Sequence, residues 1–253
     1  LPGPARSDST WRGAPRGMTR PLRLLISSGP TREPLDPVRF ISNYSTGYMG
    51  SVLTAEALQR GHRVTLVSGP TELPPPRGAR VIAIECAEDL RQAMRREAPK
   101  ADVIIMAAAV SDFQLARPAR HKLARRGMLR LRLRATPDII GTLPRRRGQL
   151  VVGFALETAD AVARARRKLQ AKRLDLIIGQ HLPAPASATG GPGNGHGSPF
   201  GPNQVKAFFV NATGRVTRLG RIPKPRLARL ILDEIDRLWY GGLHANKETC
   251  ATC

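Results

Sequence analysis

Short apolar runs alternate with helix-like segments along most of this chain, and that alternation restricts the possible folds more than any other feature. The runs predicted as strands are Leu22–Ser28, Arg63–Ser68, Arg80–Glu85, Val103–Ala107, Leu150–Leu156 and Leu174–Gly179. The segments predicted as helices are Gly47–Arg60, Ala87–Ala98, Ala159–Lys172 and a last one with Pro225 at its start. Strands that alternate with helices form a mostly parallel sheet with helices on both faces. The sequence therefore predicts an α/β, Rossmann-like fold.

Three segments depart from this alternation. Leu129–Arg134 (LRLRLR) alternates with period two in a basic region, which predicts a half-buried or edge strand that forms a flap. Val205–Asn211 and Arg215–Leu219 flank a short turn and predict a β-hairpin near the C-terminal end. Thr136 and Pro137 have the residue types of a helix N-cap and first helical position.

We expect one domain over residues 18–240. Residues 1–17 are rich in Pro, Gly and Arg and are predicted to be a disordered leader, and 241–253 a tail. Residues 183–202 have the Gly/Pro/Ser composition of a flexible loop. The apolar runs are shorter than the ~20 residues of a membrane helix, and no secretory signal begins the chain. Cys86 stands alone, and Cys250 and Cys253 form a CxxC at the end of the sequence, without a second pair that would indicate a metal site. These features favour a cytoplasmic protein.

The charge balance favours polyanionic partners. The chain has 41 Lys and Arg against 19 Asp and Glu, a net charge of +22. Such an excess is typical of proteins that bind nucleic acid, nucleotides or phosphorylated substrates, although a solvated Arg-rich surface would give the same balance. Aromatic residues are 4% of the chain and are not interleaved with basic ones, so the sequence does not favour a nucleic-acid partner.

The loop after the first predicted strand is unusually long. Connections in α/β units normally take a few residues, whereas the stretch Ser27–Gly50 (SSGPTREPLDPVRFISNYSTGYMG) contains a long insertion. Its two ends predict an anion cradle: Gly29 follows the strand, and Ser45, Thr46 and Gly47 precede the helix. Neither GxGxxG nor GxxxxGK[ST] is present, which argues against a nicotinamide-dependent reductase and a P-loop enzyme.

Arg39 and Asn43 lie inside this loop with i, i+4 spacing. If the segment is one helical turn, both side chains lie on the same side. An arginine can bind a carboxylate or phosphate with two hydrogen bonds, and an amide can stabilise a developing oxyanion. The alternative is that both residues only brace the loop.

Two further segments carry candidate ligand-binding residues. Ala107, Ala108 and Asp112 follow a buried strand, where ligands of open α/β sheets bind; Asp112 could bind Mg²⁺ or an exocyclic amine, or be a solvated turn residue. Lys168 and Lys172 are four residues apart on a predicted helix, so their ammonium groups share one face.

Together these segments resemble one family. SGPTREPLDPVRFISNYSTGYMG, TLVSGP, AAAVSDF, TPDII, VGFALET, KLQAK and LDLII follow in order over Leu22–Trp239. This pattern resembles phosphopantothenate–cysteine ligase, the C-terminal half of the bacterial bifunctional coenzyme A biosynthesis flavoprotein. The FMN-binding decarboxylase half has no counterpart in the sequence, so the resemblance implies a stand-alone ligase that needs no FMN.

The resemblance implies an activity and partners. A nucleoside triphosphate, CTP rather than ATP, would activate the carboxylate of 4′-phosphopantothenate with Mg²⁺ present. L-Cysteine would then attack the acyl-cytidylate and release CMP. The resemblance also implies a homodimer with sites near the subunit interface, and a separate phosphopantothenoylcysteine decarboxylase that acts next in the pathway. An inactive or repurposed homologue that binds nucleotide or nucleic acid is the alternative.

The resemblance also implies roles for individual residues. Asn43 matches the asparagine that acts on the acyl-cytidylate, with Arg39 beside it, and Lys122 the first lysine of a mobile basic flap. The other nucleotide-binding positions are Gly29, Ser45, Thr46, Gly47, Met106, Ala107, Ala108, Asp112, Pro137, Asp138, Ile139, Ile140, Phe154, Lys168 and Lys172. Asp112 is also the candidate metal ligand. The lysine pair is the feature that favours CTP.

The sequence departs from the family pattern at several positions. The K-x-K-K of the flap reads Lys122-Leu123-Ala124-Arg125, and the family's AND after the LDLI strand reads Gly179-Gln180-His181. Tyr48 stands where the family has a lysine at the start of the helix. We therefore expect changes in phosphate binding and flap function, with Asn43 and the lysine pair retained.

Overall fold

The computed structural model describes residues 20–125, 127–182 and 200–243. Sixteen strands and α-helices make up these parts of the chain. In chain order they are β1 (Arg23–Ser28), β2 (Arg32–Pro34), β3 (Phe40–Ser42), α1 (Tyr48–Gln59), β4 (Arg63–Ser68), β5 (Arg80–Ala83), α2 (Ala87–Glu97), β6 (Val103–Met106), β7 (Phe113–Leu115), β8 (Leu133–Ala135), β9 (Leu150–Glu157), α3 (Ala161–Ala171), β10 (Leu176–His181), β11 (Gln204–Asn211), β12 (Val216–Pro223) and α4 (Lys224–Leu238).

The main sheet has eight strands in the order β12-β11-β10-β9-β6-β1-β4-β5. The six strands from β10 to β5 run parallel, and β11 and β12 form the predicted antiparallel hairpin at one edge. The strand order moves outward from β1 in both directions, so β1 and β6 meet where the connections reverse. The predicted Rossmann-like class is confirmed.

Alternating side chains of the central strands build two cores. Leu24 and Ile26 of β1 pack in one core with residues of α1 and α4. Leu25, between them, packs in the other core with residues of α2 and α3. The same alternation in β6 puts Val103 and Ile105 on the first face and Ile104 on the second. Because both faces are covered, the central positions Leu24–Ile26 and Val103–Ile105 are apolar in succession rather than alternating with polar residues.

Two small antiparallel sheets lie outside the main one, and both correct a sequence prediction. β2 pairs with β3, so Arg39 and Asn43 do not lie on a helical turn; Arg39 ends the turn and Asn43 follows β3. β7 pairs with β8, and of the predicted flap strand Leu129–Arg134 the described chain keeps only Leu133 and Arg134 in a strand. Pairing continues for one residue beyond β7, where the Ala116 N–H donates to the Arg132 carbonyl at 3.0 Å, and the Ala119 N–H then donates to the Leu35 carbonyl instead.

The predicted helix start at Thr136 is also wrong. The segment forms a short 3₁₀ helix, Ile140–Thr142, with Ile139 at its N-cap. Asp138 lies just before it, and its Oδ1 accepts a hydrogen bond from the Gly141 N–H at 3.1 Å. Pro144 disfavours helical geometry in the residue before it, which limits the helix to one turn.

Some predictions fall outside the described residues. These are the leader 1–17, residues 183–199 of the predicted loop and 244–253 of the predicted tail. The single-domain boundaries therefore stay a prediction. Within the ranges described above, no helix is both long and apolar enough to cross a membrane.

Close packing fixes where α1 begins. Gly50, in its first turn, lies against Ser28 at the end of β1, and a Cβ at Gly50 would overlap the Ser28 side chain and lie 3.0 Å from its Cα. The Ser28 hydroxyl in turn donates to the Gly47 carbonyl at 2.9 Å. Only glycine at position 50 allows the helix to approach the strand this closely.

We predict that Gly50→Ala destabilises the protein by about 1–3 kcal/mol, because it overpacks this contact. The sign of the stability change distinguishes overpacking from helix propensity, because Gly→Ala inside a helix otherwise stabilises the helix by ~1 kcal/mol. Urea unfolding monitored by circular dichroism measures the change. Ser51→Ala, at the adjacent half-buried position, is the control and should change stability by less than about 0.5 kcal/mol. An unchanged midpoint for Gly50→Ala would contradict the packing account.

Candidate active site

A cleft of about 530 Å³ opens at the carboxyl ends of β1, β6, β9 and β10. This is the edge of an open α/β sheet at which ligands bind, and the cleft includes the point where the strand order reverses. Its walls come from the loop and first turn of α1, the segment after β6, the segment before the 3₁₀ helix, α3 and the first residue of α4.

The start of α1 forms one wall of the cleft. Ser45, Thr46 and Gly47 all line it, as predicted for an anion cradle. Gly47 is the N-cap and has φ +76°, a backbone conformation that favours glycine. The Ser45 hydroxyl accepts from the Gly47 N–H at 3.3 Å, and the Thr46 carbonyl accepts from the Thr71 hydroxyl at 2.8 Å. These contacts fix the loop so that the positive end of the α1 dipole faces the cleft.

Gly29 has a different role from the predicted one. Its φ is +79°, but its close neighbour is the Gly69 backbone, 3.1 Å from the position of a Gly29 Cβ. Its carbonyl accepts from the Ala109 N–H at 2.9 Å, which joins the ends of β1 and β6. Gly29 is not among the described residues that line the cleft. Its conformational freedom serves backbone packing beneath the cleft.

Asn43 lines the cleft and also braces the loop. Its amide nitrogen donates to the Ala109 carbonyl at 2.8 Å, across the gap between the β1 loop and the β6 segment. A primary amide has two N–H groups, so one remains for a ligand. The contact with Ala109 shows that Asn43 braces the loop at the cleft wall, and its catalytic role stays a prediction.

Arg39 is turned away from the cleft. Its guanidinium donates to the Asp36 carboxylate and, at 2.9 Å, to the Leu123 carbonyl. The Leu123 N–H donates back to Asp36 at 3.0 Å. The Arg39 guanidinium, together with these backbone donors, holds the pKa of Asp36 well below its usual range. Asp36 and Arg39 therefore join the β1 loop to Leu123, which lies in the basic flap segment next to Lys122. Arg39 does not contact Asn43.

The segment after β6 forms the floor. Met106, Ala107 and Ala108 line the cleft, and the Ala108 N–H is held by the Ser27 hydroxyl at 3.1 Å. Asp112, a little further on, lines it with an exposed carboxylate. Small side chains here leave room for a ring to approach the backbone.

The opposite wall carries the lysine pair. Lys172 donates to Asp138 Oδ1 at 2.9 Å, which ties α3 to the segment before the 3₁₀ helix. Lys168 donates to the Phe154 carbonyl at 2.7 Å. Burial, and then repulsion from Lys172, lower the pKa of Lys168. The two ammonium groups therefore share one side of the cleft, as the spacing predicted.

Lys122 lies apart from this site. It is exposed on the flap and does not belong to the described cleft lining. Of the predicted site residues, fifteen lie together in the cleft wall: Asn43, Ser45, Thr46, Gly47, Met106, Ala107, Ala108, Asp112, Pro137, Asp138, Ile139, Ile140, Phe154, Lys168 and Lys172. Gly29, Arg39 and Lys122 are the ones that the structure does not bring to it.

Sequence reasoning did not assign some cleft residues. Gln180 lines the cleft at the carboxyl end of β10, and the strand-end rule applied to Ala108 could have identified it. Tyr44 and Tyr48 lie in the loop already singled out. Lys224 opens α4 far away in sequence, and no local pattern marks it.

The cleft carboxylate Asp112 fits a metal ion that is also bound by the phosphate of a ligand. Among the described residues, no three His, Cys, Asp or Glu side chains are grouped so that they could hold a metal ion. Mg²⁺ commonly uses one or two carboxylates together with water and substrate phosphates. Asp112, exposed in the cleft, fits that mode as a single ligand.

Comparison with known proteins identifies the family. The sequence model described as "DNA/pantothenate metabolism flavoprotein C-terminal domain" matches residues 20–238. The coenzyme A biosynthesis bifunctional protein CoaBC of Bacillus subtilis (strain 168) is 39% identical over 218 residues, 85% of this chain and 51% of that protein. CoaBC of Escherichia coli (strain K12) is 36% identical over 220 residues, again 85% and 51%. The chain thus spans about half the length of these relatives.

A solved structure agrees with the sequence matches. The crystal structure of the C-terminal domain of CoaBC superposes with a TM-score of 0.68 at 32% identity, covering 86% of this chain and 95% of that one. The agreement extends over nearly all of the solved domain. The chain belongs to the family of the DNA/pantothenate metabolism flavoprotein C-terminal domain.

Proposed function

We propose that this protein is a phosphopantothenate–cysteine ligase of coenzyme A biosynthesis. The observation that carries the proposal is the cleft itself, in which Asn43 of the long β1 loop, the segment after β6, and the pair Lys168 and Lys172 at the end of α3 lie around one space. Membership of the family whose relatives are named as coenzyme A biosynthesis proteins supports the same assignment. We further propose that it acts in the cytoplasm without FMN.

The first step activates a carboxylate. A carboxylate oxygen of 4′-phosphopantothenate attacks the α-phosphate of CTP, the bond from that phosphorus to the bridging oxygen breaks, and pyrophosphate leaves. The product is an acyl-cytidylate, a mixed anhydride with a good leaving group. The cations Lys168 and Lys172 and the start of α1 offset the phosphate charge on opposite walls of the cleft. Mg²⁺ bound with the nucleotide and near Asp112 would neutralise further phosphate charge.

The second step forms the amide. The amine of L-cysteine attacks the acyl carbon, negative charge develops on the carbonyl oxygen, and CMP leaves as the bond to its phosphate oxygen breaks. The free N–H of Asn43 can donate to that oxygen, because the hydrogen bond to Ala109 already fixes the direction of the amide. The product retains the cysteine carboxylate, which a separate phosphopantothenoylcysteine decarboxylase would remove.

We also propose a homodimer. Large apolar side chains are exposed on the two small sheets: Phe40 is 48% exposed and Phe113 55%. Val38 and Leu133, at 60% and 42%, are exposed beside them. Apolar surface concentrated on adjacent β-hairpins is typical of a protein–protein contact. A second copy of this chain is the partner that the family resemblance implies, and such an interface would bring the flap close to the neighbouring cleft.

The activity is tested directly. Purified protein with CTP, Mg²⁺, 4′-phosphopantothenate and L-cysteine should release pyrophosphate and form 4′-phosphopantothenoylcysteine, detected by a coupled pyrophosphate assay and mass spectrometry. We expect CTP to give the higher kcat/KM, and the same assay with ATP compares the two nucleotides. Absence of pyrophosphate with both nucleotides would refute the ligase assignment.

We predict that Asn43→Ala lowers kcat by roughly 100- to 1000-fold, as expected for loss of one donor to an oxyanion. The affinity for CTP should change by less than about twofold, because the variant keeps the cation-bearing walls. Single-turnover experiments with labelled CTP should show accumulation of the acyl-cytidylate. Gln92→Ala, an exposed amide on α2, is the control and should keep full activity. If Asn43→Ala lowered the melting temperature and kcat fell only because less protein was folded, the residue would only brace the loop.

The dimer is tested by charge insertion. We predict that Phe113→Asp converts a dimer into a monomer, because a buried unpaired carboxylate at an interface is strongly unfavourable. Light scattering after gel filtration measures the mass. Val81→Asp, at an apolar residue of β5 that is 42% exposed, is the control and should stay dimeric. A wild-type protein with the mass of one chain would exclude the proposed assembly.

A further inference from the structure

Lys224 is a buried amine in the cleft wall. It is the first residue of α4, is 4% exposed, and lines the cleft opposite the lysine pair of α3. Its ammonium donates to the Gly201 carbonyl at 2.6 Å. Among the described residues, no carboxylate forms an ion pair with it, in contrast to Lys172, which is paired with Asp138. The charge of Lys224 is therefore left without a counter-charge in this part of the chain.

The surroundings of Lys224 disfavour a cation. Burial lowers the pKa of Lys224 to about 8. The residue lies in the first turn of α4, at the positive end of that helix dipole, where a cation is unfavourable. The start of α1 shares the same cleft and points its own positive end there. The Tyr48 ring, 5.8 Å from the ammonium, supplies a weak attraction and no charge.

Two helix N-termini and a buried ammonium together match an anion. An anion placed between them would offset these unfavourable interactions. It would pair with the Lys224 ammonium and would lie at the positive ends of both helix dipoles. An ammonium has three N–H groups, and Gly201 takes one, so two remain for a ligand with several acceptor oxygens. A phosphoryl group is compact, multiply charged and rich in acceptors, and fits this arrangement better than a single carboxylate.

We propose that Lys224 binds a phosphoryl group of the ligand in the cleft, together with the N–H groups at the start of α1. The proposal rests on the proposed ligase function for the identity of that ligand. Two sources carry this chemistry there: the polyphosphate of the nucleotide and the terminal phosphate of 4′-phosphopantothenate. Lys224 would then supply the cation at the α1 end of the cleft, where Tyr48 replaces the lysine of the family pattern.

The test measures binding without turnover. Isothermal titration calorimetry with pyrophosphate, CTP and 4′-phosphopantothenate, each added alone to the full chain in Mg²⁺ buffer, gives three dissociation constants. We expect Lys224→Met to weaken at least one of them by roughly 10- to 100-fold, the loss typical of a charge-assisted hydrogen bond. Lys224→Arg should keep most of the affinity. The control is Lys206→Met, which removes an exposed lysine of β11 outside the described cleft lining and should match the wild type.

The pattern of losses identifies the source of the phosphoryl group. Weaker binding of both CTP and pyrophosphate assigns Lys224 to the polyphosphate, whereas a loss confined to 4′-phosphopantothenate assigns it to the substrate phosphate. The proposal is overturned if all three affinities of Lys224→Met stay within about twofold of wild type, or if the wild type binds none of the three. Because no turnover is needed, these outcomes are separate from failure of the pyrophosphate-release assay.

Thermal unfolding separates binding from a structural role. If Lys224 served only to anchor Gly201, Lys224→Met would lower the melting temperature and leave the affinities unchanged. The proposal expects the reverse, because removal of a buried ammonium that has no counter-charge among the described residues keeps or raises stability in the absence of ligand. Pyrophosphate should then raise the melting temperature of the wild type more than that of Lys224→Met.

Discussion

The position of β1 in the middle of the sheet is the constraint on which the other features depend. It pairs with β4 on one side and β6 on the other, so the chain must leave its carboxyl end in a space bounded by both neighbours. Gly29 meets Gly69 there, and the Pro30–Ala109 bridge joins the β1 loop to the β6 segment. This packing closes the bottom of the cleft and leaves its walls to the loops.

The long loop after β1 has two parts with different structural roles. Its end at Ser45–Gly47 presents the start of α1 to the cleft, while its middle folds into the β2–β3 hairpin. Asp36 and Arg39 join that hairpin to the flap through Leu123, so movement of one would be transmitted to the other. Asn43 sits between the two parts and is fixed by Ala109. The length of the loop thus reflects a connection between cleft and flap as well as the placement of Asn43.

The three lysines of the cleft walls differ in the groups that their ammonium groups contact. Lys172 has Asp138 as a partner, and Lys168 is held by a carbonyl beside it. Lys224 stands on the opposite side with a carbonyl and an aromatic ring as its neighbours. The proposed substrates, a nucleotide and a phosphorylated carboxylate, would bring several negative charges into one cleft. A distribution of cations over two walls is better suited to them than a single cluster.

The sequence by itself determined the parallel sheet, the succession of its main strands and helices along the chain, and half of the described residues that line the cleft. The strands and helices follow from apolar periodicity, and Ala107 and Ala108 from their place after a buried strand, whereas lining positions such as Phe154 follow from the family resemblance. The tertiary structure alone decided the partners of Arg39 and Gly29, the short 3₁₀ turn after Thr136, and the presence of Lys224 in the cleft. Each of these depends on contacts between segments distant in sequence, and local propensity carries no information about which distant group a side chain will meet.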